Sequence, residues 1–553
     1  MRLDDPVALQ VQWARLVSLM DEVDAVIVRT AFSTIVGETR DFGVVLLDSQ
    51  ARSIAQSQLS SPAFTCSLPK ATRDLLQDPE IGPVAPGDVL LTNDPWICHG
   101  HLPDFYVVMP VFVDGRLCAY LAAAAHVADV GGRLDEFDAR DVYEEGMRIP
   151  PSKLYSAGRP NEQLFRMIAA NVRYPDLVLG DVEAIIGAFR VGAERIAAFV
   201  ADYGTAGMNA LAEGILYRSE MAMRAAIGKI PDGFYEAEIV ADGYKATTKI
   251  RAKVHVVGEE IHVDYTGSSE QRPDSSVNCV FNVTYAHTIY PLKCALLPDL
   301  PNNEALFRPI TAYAPPGSIL NATFPAPVKT RSKTSYHIHN AIYAALSEAM
   351  PEKVQAGSGS FWSIKVFGTD DNGERFAVHV LPNGGKGAVR GSDGLPTIAF
   401  PGNGTITPAE IVENRTPILV VERCLRADSG GPGQFRGGLG QVISLRNLSP
   451  RPVKVTVRPD KVSHPAPGLA GGLPGAPGEL LLDGGPCPLE PFELVQGHTL
   501  TLKLPGGGGF GDPCKRKRAS LQRDVELGLV TAGAAESLYG ASQRTLLEQE
   551  AAL

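Results

Sequence analysis

The chain has 553 residues, which is too long for one ordinary hydrophobic core and predicts about three or four domains. Hydrophobic residues make up 44% and charged residues 20% of the chain, which is typical of a globular protein and excludes a disordered one. The net charge of -11 argues against a nucleic-acid partner, and no apolar run reaches the roughly 18 residues needed to span a membrane.

The N-terminus and the cysteines both predict a cytoplasmic protein. The start MRLDDPVALQ has no basic segment followed by an apolar one, so it predicts no secretion signal. The 8 cysteines are sparse and never spaced as C-x-x-C, which predicts reduced thiols and no four-cysteine zinc site. Cys98 is interpreted as a small buried hydrophobe in preference to a catalytic thiol. The basic run 515–518 is interpreted as a solvated surface.

In the N-terminal part, helix and strand patterns follow one another. A helix is predicted from Asp5 to about Thr34, with Asp5 as its N-cap and a proline in the first turn. Residues 37–57 predict strand, turn and strand, and VLLTNDP predicts a short buried strand. Asp114-Gly115 predicts a hairpin between the strands FYVVMPVFV and LCAYLAAAAH.

The remainder of the chain changes from helical to β-rich character. Residues 160–230 predict three helical segments, and YEAEIVADG and TTKIRAKVHVVGEEIHVDYTG alternate as half-buried strands do. A helix is predicted from His337 to Met350, strands and glycine turns from Gly357 to Pro505, and a helical hairpin at the end. These patterns predict an α+β, multi-domain fold with mixed helices, antiparallel or mixed sheets and a glycine-rich β C-terminal half.

Four parts are predicted along the chain. They are an N-terminal α+β region over 1–230 with the hairpin, a central α+β region over 231–356, a β-rich Gly/Pro-rich region over 357–513 and a C-terminal helical tail over 514–553.

Two short motifs concentrate the histidines. Of the 11 histidines, His99, His101 and His126 fall in NDPWICHGHLPD (93–104) and AHVADVGG (125–132). Because a hairpin brings the far ends of its two strands together, these motifs are expected to lie side by side.

The two motifs supply a candidate metal site. Imidazole and carboxylate groups bind Mn, Fe and Zn, and a catalytic site typically keeps three protein ligands and an open position. His101, Asp104 and His126 are the candidate ligands, and Asp129 is a candidate to orient one of them. The alternative is that Asp94, Asp104 and Asp129 cap turns while the histidines bond backbone carbonyls.

Other polar and glycine-rich motifs are less specific. The acids Glu38 and Asp41, and the pair Glu144-Glu145, are either bases or ligands near a metal, or surface ion pairs. Three glycine-rich runs, SGGPGQFRGGLG, GLAGGLPGAPG and PGGGGFGDP, match no nucleotide-binding loop. Their amides either cradle an anion or form tight turns that require positive φ. The chain therefore shows no nucleotide site of its own.

Taken together, these motifs resemble the hydantoinase B/oxoprolinase family, the B-type subunits of ATP-dependent N-methylhydantoinases, caprolactam-type lactamases and bacterial oxoprolinases. The resemblance runs nearly end to end. It is carried by GETRDFGVVLLD, NDPWICHGHLPD, AHVADVGG, EEGMRIPPSKLY, NVRYPDLVLGD, VDYTGSS, PPGSILNATFPAPVKTR, LRADSGGPGQFRGGLGQ and LPGGGGFGDP.

The resemblance implies a division of labour between two subunits. An A-type partner of the actin-like ATPase class uses ATP to phosphorylate the carbonyl oxygen of a small cyclic amide. The B-type chain then opens the ring at a divalent metal, Mn, Zn or Fe, which supplies activated water. In the related acetone carboxylase, manganese is held by a His, Asp, His set whose spacing is similar to that of His101, Asp104 and His126. Two copies of each subunit are implied.

The resemblance also leaves rival functions open. The first alternative to the hydrolase is the large subunit of an ATP-dependent acetone-type or acetophenone-type ketone carboxylase, and Trp96 in NDPW is similar to the carboxylase version of the motif. His99 stands where many hydrolase members have a smaller residue, so it is a further ligand, an acid/base or a polar neighbour. A non-catalytic scaffold for the ATPase is disfavoured, because a scaffold does not need the His, Asp, His set.

Further residues receive roles by the same resemblance. Arg148, Arg173 and Arg331 are candidates to bind the phosphate or a substrate carboxylate, since a guanidinium fork matches oxyanions, with ordinary salt bridges as the alternative. Asp41 and Glu38 are candidates for a base or an outer ligand.

Overall fold

The computed structural model describes residues 5–134, 137–370, 373–398 and 400–540. The described chain divides into two compact units, Met1–Phe234 with Lys253–Ile338 and Tyr235–Ala252 with His339–Leu553. Both contain helices and sheets, which confirms the α+β class. The four-part division stays a prediction, and residues 541–553 of the predicted tail lie outside the described residues.

The elements up to residue 335 follow in chain order. They are α1 (Pro6–Thr30), α2 (Thr34–Gly37), β1 (Phe42–Asp48), β2 (Ser53–Gln56), α3 (Pro62–Gln77), β3 (Val89–Thr92), β4 (Asp104–Val113), β5 (Arg116–His126), α4 (Val142–Glu145), β6 (Ser152–Ser156), β7 (Arg159–Pro160), α5 (Glu162–Asn171), α6 (Pro175–Ile227), β8 (Gly233–Tyr244), β9 (Ala246–Val257), β10 (Glu260–Asp264), α7 (Phe281–Leu296), a 3₁₀ turn (Glu304–Phe307), β11 (Ile310–Tyr313) and α8 (Ser332–Ser335).

The elements from residue 338 onward complete the described chain. They are α9 (Ile338–Ala345), β12 (Ser363–Thr369), β13 (Arg375–Val380), α10 (Ala409–Arg415), β14 (Ile418–Leu425), β15 (Gln441–Asn447), β16 (Val453–Arg458), β17 (Glu479–Leu482), β18 (Gly485–Pro486), β19 (Phe492–Leu494), β20 (Thr499–Lys503), a 3₁₀ turn (Pro513–Lys515), α11 (Arg518–Glu526) and α12 (Ala532–Tyr539).

The first unit is built on one antiparallel sheet, the central sheet, with the strand order β2-β1-β5-β4-β3-β6-β7. Successive side chains of a strand point to opposite faces. In β5, Leu121 and Ala123 therefore pack with residues of α1 and α6, whereas Ala122 and Ala124 pack with residues of α3. Helices cover both faces, so the middle of the sheet is buried.

The predicted hairpin is confirmed. Asp114 and Gly115 both have positive φ, 50° and 73°, as a two-residue turn between antiparallel strands requires. The strands β4 and β5 pair in a register that sets Asp104 opposite His126. The sequence motifs at the two strand ends are thereby brought together.

Several helix predictions need correction. The N-terminal helix stops at Thr30 instead of about Thr34, because Ser33 caps the separate helix α2. The sequence patterns do not predict α3 or α7, and each contains an internal proline, Pro69 or Pro291, which ordinarily ends a helical pattern. The helix predicted from His337 to Met350 is observed as α9, which is shorter and spans Ile338–Ala345. Three helical segments are predicted over residues 160–230; the structure has α5 and the long α6, and α6 is kinked at Gly204, where φ is 74°.

The second unit contains the sheets β13-β12-β16-β19 and β14-β15-β20-β17-β18. Apolar side chains from both sheets form one core, including Ile364, Val455, Leu445 and Leu502. The cysteines of the described residues form no disulfide bonds. No helix within the described ranges combines the length and apolarity that crossing a bilayer demands.

The glycine-rich runs of the second unit pack backbone against backbone. We call residues 429–440, 468–478 and 505–511, with 357–359 and 384–388, the glycine bundle. A Cβ added to Gly507 would lie 2.3 Å from the carbonyl oxygen of Lys386, and one added to Gly508 would lie 2.0 Å from that of Pro467. These two glycines donate their own N–H groups to neighbouring carbonyls at 2.9 and 2.8 Å.

Both sequence interpretations of the glycine runs are therefore wrong for most of their positions. Within the three fully described runs, Gly471 and Gly511 are the glycines with positive φ, beside the non-glycine Ala470, so tight turns do not account for the other glycines. The amides along the centre of the bundle bond carbonyls, which leaves them unavailable to an anion. Glycine is required here because there is no space for a side chain.

The basic run 515–518 is also not simply a solvated surface. The side chain of Arg516 is 2% exposed and pairs with Asp393 at 2.8 Å and Asp524 at 2.6 Å. The other residues of the run are exposed. Asp524 lies on α11, so the buried arginine attaches this helix to the rest of the second unit.

Candidate metal centre

The three predicted ligands lie together at the end of the β4–β5 hairpin opposite its turn. His101 Nε2 lies 2.8 Å and His126 Nδ1 lies 3.3 Å from the same oxygen, Asp104 Oδ1. All three side chains are buried, and their potential ligand atoms lie within 4.8 Å of one another. Among the described residues, the group of potential ligands at this site contains no other residue.

Side-chain hydrogen bonds shape the loop that carries His101. Asn93 is buried, and its Nδ2 donates to the carbonyls of Leu102 and Met147 at 2.8 and 2.9 Å. Asp94 Oδ1 accepts from the N–H of Trp96 at 3.0 Å and so caps the turn. Gly100 has φ +89°, a region that strains residues with a Cβ. The loop is therefore held in one conformation by its own sequence.

The hydrogen bonds of His101 show that the site fits a cation. Its Nδ1 lies 2.9 Å from the carbonyl oxygen of Lys329, which can only accept, so Nδ1 carries a proton. In neutral His101, Nε2 then presents a lone pair to Asp104 Oδ1, another acceptor. Two acceptors at this distance need a proton or a metal ion to hold them together. A carboxylate oxygen with two imidazole nitrogens is a donor set that suits Mn, Fe or Zn.

Arg331 secures the other side of the carboxylate. Its Nη2 donates to Asp104 Oδ2 at 2.7 Å, and its Nε donates to the carbonyl of His99 at 2.7 Å. Arg331 is buried, so this charge-assisted bond is strong and geometrically restrictive. It leaves Oδ1 directed at the two histidines.

Asp41 lies at the solvent side of the site. Its Oδ2 is 3.9 Å from His126 Nδ1, and its side chain is 28% exposed. The side chains of His101, Asp104 and His126 are at most 5% exposed. The Asp41 carbonyl also accepts from the His126 N–H at 3.0 Å. Glu38 follows α2, three residues earlier in the chain, and is half-buried. Asp41 is the nearer of the two acids predicted as a base or outer ligand.

The remaining predicted acids and arginines pair with each other. Arg148 Nη1 lies 3.3 Å from Asp94 Oδ2, and the Arg148 guanidinium also lies over the ring of Phe324. Arg173 Nη1 lies 2.7 Å from Asp129 Oδ1. These pairs are partly exposed and match the salt-bridge alternative left open by the sequence. Their phosphate-binding role stays a prediction.

His99 is buried beside the site but outside the ligand group. Its ring meets Phe64 edge-on at 5.1 Å and faces His287 at 6.1 Å. Burial, together with the positive charge of Arg331, lowers the pKa of His99 well below its ordinary value, so the ring is neutral. Its Nδ1 has no hydrogen-bond partner. Cys98, next to it, is a buried thiol whose pKa is raised by burial, which agrees with its interpretation as a hydrophobe.

Two residues that support the candidate ligands, Lys329 and Glu145, have no specific role predicted from the sequence. Lys329 supplies a backbone carbonyl, and a carbonyl leaves no trace in side-chain chemistry. Glu145 is noted in the sequence only as half of an acidic pair, yet it is 1% exposed, and burial raises its pKa to about 8. The available signal for both residues was their position in the motifs EEGMRIPPSKLY and PPGSILNATFPAPVKTR.

Known proteins resemble the whole chain. A protein of a Pseudomonas species that carries the provisional name of a D-/L-hydantoinase subunit is 31% identical, and the alignment covers 97% of this chain and 95% of that one. The solved ATP-dependent caprolactamase of Pseudomonas jessenii has a TM-score of 0.88 at 28% identity, covering 97% of this chain and 96% of its own. A nucleotide-free structure of acetone carboxylase has a TM-score of 0.87 at 19% identity, covering 98% and 80% respectively, which shows the fold alone.

The sequence profile for hydantoinase B/oxoprolinase matches residues 5–513, a span that includes the hairpin, its histidines and the glycine bundle. With this match and relatives that align from end to end, the chain belongs to the hydantoinase B/oxoprolinase family.

Proposed function

We propose that this chain is the metal-dependent subunit of an ATP-dependent cyclic amide hydrolase that opens a hydantoin, oxoproline or lactam ring. The observation that carries the proposal is the contact between His101 Nε2 and Asp104 Oδ1 at 2.8 Å, with the Nδ1 proton already directed at a carbonyl. The relatives named as hydantoinase and caprolactamase subunits supply the substrate class.

In this proposal, His101, Asp104 and His126 hold one divalent ion, Mn, Zn or Fe. Such an ion supplies Lewis acidity at a carbonyl oxygen and lowers the pKa of water toward neutrality. Asp41, exposed and adjacent to His126, accepts the proton of the attacking water as a general base. Arg331 holds Asp104 Oδ2, so that Oδ1 is directed at the two histidines.

The net reaction accounts for the need for a partner. Ring opening adds water across the C–N bond: the carbon gains oxygen and becomes a carboxylate, and the nitrogen leaves as an amine with a proton. An unactivated amide resists this attack, whereas transfer of the γ-phosphoryl group of ATP to its carbonyl oxygen releases ADP and provides an activated electrophile. Attack of water at that carbon breaks the C–N bond, and a second water hydrolyses the resulting acyl phosphate and releases inorganic phosphate. Since the sequence contains no nucleotide loop, an A-type ATPase subunit supplies this step, in a heterotetramer with two copies of each chain.

Metal analysis of the purified chain tests the site. We expect about one tightly held divalent ion per wild-type chain and its loss in His101→Ala/His126→Ala, because removing two ligands of three destroys an open site. The matched control is His262→Ala/His498→Ala, which removes two exposed histidines and should retain the metal. A His101→Ala/His126→Ala chain that keeps all its metal would refute the ligand assignment.

The reaction class is tested in the complex with the A-type subunit. ATP consumption should depend on hydantoins or lactams and should yield a ring-opened product. Strict dependence on a ketone with bicarbonate would replace the hydrolase by the carboxylase alternative. ATP turnover by this chain alone would contradict the assignment of phosphorylation to a partner.

A further inference from the structure

Glu145 is connected to the candidate metal centre through a single peptide. Its Oε1 accepts from the N–H groups of Val328 and Lys329 at 2.7 and 2.8 Å. The carbonyl of Lys329 in turn accepts from His101 Nδ1 at 2.9 Å. The Glu145 carboxyl thus holds the peptide whose oxygen determines which nitrogen of His101 carries the proton.

The segment 327–331 contacts the site a second time. Two residues beyond Lys329, the side chain of Arg331 bonds Asp104 Oδ2 at 2.7 Å. A displacement of this segment would therefore disturb two of the three candidate ligands together. Asn278 holds one end of the segment, since its Nδ2 donates to the carbonyl of Pro327 at 2.8 Å. Between Pro327 and Arg331, Glu145 accepts hydrogen bonds from the N–H groups of Val328 and Lys329.

The motif AHVADVGG makes room for Glu145. Gly132 has φ +67°, and a Cβ on it would lie 2.4 Å from the carbonyl carbon of Glu145. Gly146, the residue after Glu145, approaches Val130 almost as closely. A Cβ added to Gly146 would lie 2.6 Å from the Val130 carbonyl oxygen. Glycine at position 132, after the histidine strand, is thus required by the approach of the helix α4, which carries Glu145.

Burial of this acid is costly and calls for an explanation. Its second oxygen, Oε2, has no hydrogen-bond partner, although the residue is 1% exposed. A polar group buried without a partner ordinarily destabilises the folded state. Desolvation raises the pKa of Glu145 to about 8 and so favours the neutral form, and Oε1 can accept both amides in either protonation state.

We infer that Glu145 is a positioning residue: it fixes the Lys329 carbonyl, so that His101 presents Nε2 beside Asp104, and thereby sets the affinity of the site for a divalent cation. This inference rests on the proposed metal site. Groups that orient a metal-ligating histidine typically change metal affinity by about 10–100-fold when removed.

Cobalt titration of the metal-stripped full chain, followed by visible absorption, tests the inference. Glu145→Ala frees the two amides and should weaken Co²⁺ binding by about 10–100-fold, with altered absorption bands. Glu145→Gln keeps a neutral acceptor in the place of Oε1 and should restore near wild-type affinity and spectrum. Unchanged affinity in Glu145→Ala would overturn the inference.

Asp181 provides a matched control in the same unit. Its Oδ1 accepts from two consecutive amides, Phe32 and Ser33, at 2.8 and 3.1 Å, and its Oδ2 has no partner. Asp181→Ala should lower the Tm of the chain much as Glu145→Ala does, yet keep wild-type Co²⁺ affinity. An equal loss of affinity in Asp181→Ala would reduce the role of Glu145 to general stability and contradict the inference.

Two further outcomes separate the possible failures. Should Glu145→Ala fail to fold, Glu145→Asp retracts the acceptor by one methylene group, and unchanged affinity in that variant would equally overturn the inference. A wild-type chain that binds Co²⁺ no better than His101→Ala/His126→Ala would refute the proposed metal site itself. Wild-type binding combined with unaffected Glu145 variants would refute the positioning role alone.

Discussion

In the first unit, side chains from α1, α6 and α3 fill the space on both faces of the central sheet, whereas in the glycine bundle carbonyl oxygens occupy the space that side chains would take. Side chains adjust by rotation about their bonds, and a core built from them absorbs small changes in volume. A backbone that is bonded to its neighbours on several sides has no such freedom. The two regions should therefore respond very differently to one added methyl group.

Gly507→Ala should have the largest effect. The new Cβ would lie 2.3 Å from the Lys386 carbonyl oxygen and 2.7 Å from the Gly387 nitrogen, both backbone atoms. We expect a loss of about 4 kcal/mol or more in the free energy of unfolding of the second unit, since severe overpacking is among the few causes of such losses. Urea unfolding followed by tryptophan fluorescence would measure it.

The control for this change is Gly533→Ala in the same unit. Gly533 is exposed on α12, and a Cβ there meets nothing within 4 Å. Alanine in a helix should leave stability unchanged or raise it by up to about 1 kcal/mol. If Gly507→Ala behaves like Gly533→Ala, the bundle is not close-packed.

Arg516→Ala should have the next largest effect. Removal of the guanidinium leaves Asp524 with the side chain of Arg436 and Asp393 with the Arg436 N–H, so the loss of part of this buried network should cost up to about 3 kcal/mol. Limited proteolysis should then cleave near α11 sooner. The exposed neighbour Lys515 offers the control change, and Lys515→Ala should alter stability by about 0.5 kcal/mol or less.

The same pair makes stability depend on pH. Burial opposes ionisation of Asp393, but the hydrogen bonds and charge of Arg516 outweigh it, so the pKa of Asp393 lies below its ordinary 3.8. The pair therefore contributes stability above that pH, and this contribution is lost as the pH falls through the lower folded value. Arg516→Ala should lack this acid-dependent loss, and an identical acid profile in wild type and variant would contradict the assignment.

Gly192→Ala should have the smallest effect. A Cβ there would lie 2.9 Å from methyl groups of Leu121 and Val23, a close approach made by side chains only. Rotation of these side chains, together with the higher helix propensity of alanine, should limit the cost to about 1 kcal/mol. Thermal unfolding would measure it, and a loss as large as that of Gly507→Ala would remove the distinction between the two regions.

The sequence predicts those features that depend on local chemistry. The Asp114-Gly115 turn predicts the hairpin, and the hairpin predicts that His101, Asp104 and His126 lie together, because strand pairing fixes the register. The sequence does not predict which acids pair with the two arginines. Arg148 pairs with Asp94 and Arg173 pairs with Asp129, and both acids were considered for the site. Such pairs depend on tertiary placement of loops.

Other features are not determined by local sequence chemistry. Glu145 reaches the site through a backbone carbonyl, and nothing in an acidic pair distinguishes a buried carboxyl from a surface one. The prolines of α3 and α7 predict breaks that tertiary packing overrides. Glycine runs predict positive φ or an anion loop, since crowding by distant backbone is not encoded locally.

The backbone of the glycine bundle is well ordered although it forms no regular secondary structure. Residues 505–509 belong to no helix or strand, yet the N–H groups of Gly506, Gly507, Gly508 and Gly509 are each hydrogen bonded at 3.2, 2.9, 2.8 and 3.0 Å. Hydrogen–deuterium exchange of these amides should accordingly be slow, as in the middle of a sheet, although irregular segments ordinarily exchange fast. In this part of the molecule, absence of secondary structure is a mark of rigidity.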